Sequence, residues 1–204
     1  MTSRLRTLTM SLWTSLALAT PALTQDGASG GTTRDQLVAQ PVHAVDAVDL
    51  DRYAGDWFEV ARFPNRFQRQ CASDVRASYA RRNDGLIDVI NRCRVEDGGT
   101  TVAQGVARVA DDRTLAKLKV RFAPAALSFL PFVWGDYWIL GLASDYTWAT
   151  VGSPDRNYLW ILARTPVLDA ERLRSALDAA RANGFDVERL TMTTHTADSR
   201  ADAR

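Results

Sequence analysis

What this chain has little of narrows it first. It contains 2 cysteines and 2 histidines. Cys71 and Cys93 lack Cys-x-x-Cys spacing, and only His43 and His195 could help them hold a metal. No metal site is expected. Basic residues barely outnumber acidic ones, 25 against 24 for a formal charge of +1, so no basic patch argues for nucleic acid. There is no Ser-His-Asp spacing, no His-Glu-x-x-His and no phosphate loop. No catalytic residue or cofactor is therefore expected, and the chain does not read as an enzyme. Nor does any apolar run span a bilayer comfortably: Leu8 to Ala19 is shorter than the roughly 20 residues a spanning helix needs.

That short run has its own reading. Arg4 and Arg6 precede it, and Ala17-Leu18-Ala19 and Ala22-Leu23-Thr24 offer small residues for cleavage. The layout is that of a signal peptide over 1–24, cut after 19 in one option, with a membrane anchor as the rival. No cysteine lies near either cleavage point, which closes the lipoprotein route. The expected destination is periplasmic or secreted. Residues 25–45 form a flexible leader, 46–195 a single domain and 196–204 a disordered tail. With 46% hydrophobic and 24% charged residues, the domain is globular and of ordinary size.

Within it the signals are short strands and tight turns. Strands are expected over 55–63, 75–82, 86–95, 101–110, 115–122, 137–143, 146–152 and 158–164, with turns at Asn83-Asp84-Gly85, Asp97-Gly98-Gly99, Asp111-Asp112-Arg113 and Ser153-Pro154-Asp155-Arg156. The approach from Pro41 to Leu50 reads as extended. Alternation is clearest in Lys117-Leu118-Lys119-Val120-Arg121-Phe122, where apolar residues point one way and cations the other. A sheet with one wet face closes well into a barrel, which removes its edges. One helix follows, with Asp169 as N-cap, a stripe of Leu173, Ala176, Leu177 and Ala180, and Gly184 just past its end. Its stripe packs most simply against the outside of the barrel. A short strand is expected over 185–194. The fold class is all-β: an eight-stranded antiparallel up-and-down barrel with one C-terminal helix outside.

In an oxidising compartment Cys71 and Cys93 can bridge, since the expected hairpin between them brings their strands together. A metal or redox pair is the alternative. The bridge would close a loop of about 22 residues and stabilise by roughly 3 kcal/mol.

Three motifs then appear in order: Gly55-x-Trp57, Ser144-Asp145-Tyr146 and Arg164. With Arg-Phe-Pro-Asn-Arg-Phe (62–67), the run 154–166 and Asn183-Gly184-Phe185-Asp186, they resemble the lipocalin family, in its bacterial branch close to apolipoprotein D. The resemblance covers roughly residues 41–195. Ser144 stands where the family usually has Thr, a conservative departure. The resemblance implies a cup open at one end, with Trp57 plugging the closed end and Arg164 lying across it. Strand parity counted from that contact, with the family's pattern, turns Tyr79, Val89, Asn91, Leu118, Val120, Phe122, Tyr137, Ile139, Tyr158 and Trp160 inward, with Ala77, Ile87 and Leu162. Such a lining suits an apolar ligand with one polar end; the alternative is an interior in which these side chains simply fill the space. The implied function is to bind and carry or store a small hydrophobic ligand, such as a fatty acid or lysophospholipid. A lipid- or isoprenoid-modifying enzyme on the same scaffold and an envelope-maintenance protein are the alternatives. The uncharged loop 123–134 reads either as a transient membrane contact beside the mouth or as a segment buried under a neighbouring loop. Oligomeric state is not legible.

Overall fold

A computed structural model describes residues 40–197 and Ser199. The expected signal segment and most of the leader (1–39), and residues 198 and 200–204 of the expected tail, lie outside the described residues. Eight strands follow one another: β1 Gly55–Arg62, β2 Ser73–Arg81, β3 Ile87–Arg94, β4 Thr100–Val109, β5 Lys117–Arg121, β6 Gly135–Leu142, β7 Trp148–Gly152 and β8 Leu159–Ala163. Each pairs antiparallel with the next, and β8 returns to β1. The ring is closed. Each strand lies within about three residues of its expected bounds.

Closure is uneven along β1. The register between β1 and β8 slips between Glu59 and Ala61, a bulge that bends the strand. Below it β1 pairs with β2 from Gly55 to Phe58. Above it the freed edge at Ala61 and Arg62 takes a ninth strand, β9 Thr191–Met192. The strand expected over 185–194 is therefore only two residues long, because no more edge is available, and a 3-10 turn at Val187–Arg189 precedes it. Beyond β9, Thr196 donates its backbone N–H to Asp74, and Arg76 donates to the Ser199 carbonyl.

One helix was not anticipated. Where the approach ends, the chain coils into a single turn, α1 Leu50–Tyr53, capped by the Asp49 carboxylate. The second helix, α2 Ala170–Ala182, starts at its expected cap, Asp169, and ends before Gly184 at φ +75°. Its Ala176 and Ala180 are fully buried against the outside of the barrel. Small residues on both sides permit that approach: a Cβ on Gly141 would stand 2.5 Å from Ala179 Cβ.

The disulfide Cys71–Cys93 is formed, with the Cα atoms 5.5 Å apart. It ties the loop after β1 to the rim of β3. Replacing both cysteines by serine is expected to lower unfolding stability by about 3 kcal/mol, read as a lower urea midpoint with a somewhat larger m-value, since the unfolded chain is no longer cross-linked.

Candidate functional site

The three motifs meet at one end of the barrel, around α1. The Arg164 guanidinium lies 3.9 Å from the centre of the Trp57 ring. It also donates to the carbonyls of Asp56 (2.7 Å), Arg52 (2.7 Å) and Ala54 (2.9 Å). Trp57 Nε1 donates to the Tyr53 carbonyl at 2.8 Å, so the indole is both fully buried and satisfied. Gly55 sits at φ +91°, and a Cβ there would stand 3.4 Å from Arg164 Nη1. Tyr146 accepts from the Asp49 N–H and carries the Arg52 guanidinium over its ring. Asp145 orders its own turn by accepting from Thr147. Ser144 contributes its carbonyl to Arg52.

The inward-facing residues then form a gradient. Around the plug, Trp57, Ile87, Val89, Leu118, Ile139, Val151 and Leu162 are buried in one apolar cluster, and Tyr79 joins them. Towards the other end Val120 and Trp160 pack against that cluster while only partly buried, and Ala103 is open. Phe122 is 47% exposed although it faces inward. Its ring lies over Gly105, where a Cβ would meet it at 2.8 Å; that glycine makes room for an aromatic on the inner wall. Tyr158 precedes β8, stacks on Trp160 at 5.8 Å, and neighbours Phe67 at 5.7 Å. Burial on this face falls from the floor around Trp57 towards Phe122.

Polar groups sit at two heights. On the floor, Tyr137 shares hydrogen bonds with Tyr53 (2.7 Å) and Tyr79 (2.9 Å). Burial drives all three phenols upward: Tyr79 is pushed up to about 12, with the Glu59 charge adding to the rise, and Tyr53 and Tyr137 lie well above the ordinary value. Asn91 faces the same space between Ala77 and Ala103, with its Oδ1 buried and reached by no donor among the described residues.

Nearer the rim is a clamp around Glu59 whose partners sequence reasoning missed. Buried Glu59 accepts from Arg62 Nη1 (2.5 Å), Gln68 Nε2 (2.6 Å) and Thr193 Oγ1 (2.6 Å). Gln68 Oε1 accepts in turn from Asn65 Nδ2 (2.7 Å) and Trp160 Nε1 (3.0 Å). The loop after β1 is thus lashed to β8 and to the chain beyond β9. No periodicity marks such long-range bonds, and only Asn65, as the cap of the 3-10 turn Arg66–Gln68, leaves a local trace. Tyr53 was missed because its helix was missed.

The loop 123–134 turns outward. Trp134 lies under the guanidinium groups of Arg108 (4.4 Å) and Arg121 (5.2 Å) and donates to the Ser128 carbonyl. Leu127, Phe129 and Phe132 are 40%, 76% and 80% exposed.

A family model described as a lipocalin-like domain matches residues 48–195. Temperature-induced lipocalin-1 of Arabidopsis thaliana is 39% identical over 154 residues, covering 74% of this chain and 82% of that protein. Outer membrane lipoprotein Blc of Escherichia coli K12 is 40% identical over 149 residues, with 72% and 80% covered. Apolipoprotein D of Mus musculus is 31% identical over 153 residues, with 71% and 76% covered. In shape, the chain is similar to lobster apocrustacyanin A1 (TM-score 0.61, 16% identity, 80% and 96% covered) and to insecticyanin of the tobacco hornworm (TM-score 0.61, 20% identity, 78% and 87% covered).

Two outcomes follow from the floor. Trp57→Ala removes the plug and is expected to cost about 3–5 kcal/mol, measured by denaturant unfolding. The buried phenols have folded pKa values above the unfolded 10.0, with Tyr79 at about 12. Their contribution is therefore intact below pH 10 and is lost as pH rises from 10 through 12. For Tyr79, two units correspond to about 3 kcal/mol. Melting temperature is expected to fall over that interval, less steeply in Tyr79→Phe.

Proposed function

The chain belongs to the lipocalin family, and from that premise we propose that it binds one small hydrophobic molecule in its cup and carries or stores it outside the cytoplasm. The guest class is an amphiphile of the fatty-acid or lysophospholipid kind, and the site is periplasmic or extracellular. The observation that carries the reading is the gradient of exposure. Apolar and aromatic side chains on the inner wall are sealed around Trp57 and accessible towards Phe122 and Trp160. Phe122, an inward aromatic just beyond the end of β5, stands 47% exposed, which supports an open mouth. The formed disulfide fits an oxidising compartment.

The role is binding, not turnover. Glu59 is the one fully buried acid among the described residues, and three donors saturate it. A carboxylate so engaged is poorly placed to move a proton. Buried His195 bonds the Glu59 carbonyl through Nε2 at 2.8 Å and is likewise a packing group.

We place the entrance against a membrane. Leu127, Phe129 and Phe132 form an exposed apolar tip on the loop that starts from Phe122 at the inner wall. Each large apolar side chain transferred out of water contributes about 1.5–3 kcal/mol, and the exposed Arg108 at the base of the loop suits an anionic surface.

Two measurements check this. Solvent extraction of natively purified protein, followed by mass spectrometry, is expected to recover about one lipid per chain, unaltered on incubation; a clean extract and no uptake of added amphiphile would end the carrier reading. Flotation with vesicles containing anionic lipid is expected to lift the wild type, and Phe129→Asp/Phe132→Asp is expected to lose at least tenfold in partitioning.

A further inference from the structure

The polar groups deep in the cup are incompletely matched by the protein itself. Three phenol hydroxyls make two hydrogen bonds among themselves. Each hydroxyl donates once, so one O–H is left to donate whichever way the chain of bonds runs. Across the same interior, Asn91 Oδ1 is buried with no donor among the described residues, and no side-chain bond ties its amide nitrogen. Either orientation of that amide leaves one acceptor and one donor group facing the space. Tyr79 pairs with Val89, and Asn91 lies two residues along the same face, a diagonal separation of roughly 7–8 Å between backbones that a Tyr side chain spans. An unpaired buried acceptor of this kind costs about 1–3 kcal/mol until something donates to it.

Hydrogen-bond chemistry decides what that something is. Charges of both signs reach the floor: the Glu59 carboxylate adds to the rise of Tyr79, and the Arg164 guanidinium opposes the rise of Tyr53. Glu59 is itself paired with Arg62 at 2.5 Å. Arg164 is spent on carbonyls beyond the Trp57 ring. An ionised carboxylate or phosphate could accept from the spare tyrosine O–H but would have no hydrogen to give to an acceptor such as Asn91 Oδ1. A hydroxyl does both jobs with one atom: it donates to Asn91 and accepts from a tyrosine.

We propose that Asn91 and the Tyr53–Tyr137–Tyr79 chain anchor an uncharged, hydroxyl-bearing end of the guest, which enters head first with its hydrocarbon towards the rim. This rests on the carrier reading and, among amphiphiles, favours an end that carries a free hydroxyl, the long-chain alcohols being the simplest, over ionised soaps. A fatty acid takes the anchor only in its protonated form.

The test is a ligand series of one chain length on delipidated wild-type protein, followed by quenching of tryptophan fluorescence: 1-tetradecanol, its methyl ether, and tetradecanoate at pH 9. The ether accepts but cannot donate; the soap is charged. The alcohol is expected to bind about tenfold more tightly than either, the worth of one hydrogen bond. In Asn91→Leu the alcohol is expected to fall to the level of the ether. The wild-type series stands by itself if that variant unfolds. Equal binding of alcohol and ether, tightest binding of the soap, or an alcohol preference that survives in Asn91→Leu would overturn the anchor while leaving a carrier. Binding of none of the three would overturn the carrier reading itself.

Discussion

A guanidinium laid across an indole holds one end of this barrel shut, and most of what is distinctive above it depends on that contact. Arg164 leaves the end of β8 and reaches the carbonyls of Arg52, Ala54 and Asp56. Those carbonyls belong to the last turn of α1 and to the start of β1, where backbone acceptors lack helical partners. One side chain satisfies them while stacking on Trp57, a pairing worth up to about 2 kcal/mol when desolvated. Burial lowers the arginine's pKa below the ordinary value, and the nearby Tyr53 and Asp56 groups offset part of that drop. The plug is therefore a cation held by backbone oxygens and an aromatic face, with no buried carboxylate to complicate it.

Fixing the plug also fixes what stands on it. Tyr53 rides on α1, and its ring lies 4.9 Å from that of Trp57. Its hydroxyl therefore points up into the interior to meet Tyr137. The two ends of the cup then differ in kind. At the rim, Glu59, Gln68 and Trp160 satisfy one another and hold the loop after β1 in place. At the floor, the tyrosines and Asn91 leave hydrogen-bonding capacity over. Saturated polar groups stiffen a structure, and unsaturated ones in an apolar space invite a partner. The rim reads as architecture and the floor as recognition.

Much of this was legible in the sequence, for identifiable reasons. Alternation such as Leu118/Val120 against Lys117/Lys119 comes from a sheet with one dry face, so parity survives without knowledge of the fold. Turn residues and the Asp169 cap act locally, and the helix bounds followed from them. What escaped depends on contacts across long separations. The Glu59–Ala61 bulge is set by how β1 meets both β8 and β9. The rim clamp joins residues up to 134 positions apart. Even α1 is held by Tyr146 and Arg164, nearly a hundred residues and more away. The stretch 185–194 failed as a full strand because β1 exposes only two positions to it.

The apolar loop completes the argument about direction. Phe122 is on the inner wall and Phe129 and Phe132 are outside, on one continuous segment at the end opposite the plug. The loop commits its Trp134 to Arg108 and Arg121, so it is anchored to the barrel by its base while its tip stays bare. Two nearly fully exposed phenylalanines at the tip of an anchored loop carry a cost in water that burial would remove. If a membrane supplies that burial, the same contact sets the open rim beside the bilayer. A hydrocarbon chain could then move from lipid to Phe122 and on towards the floor with little of it passing through water. A sealed floor, an open rim and an apolar step at the rim form one path, and a carrier of amphiphiles requires all three.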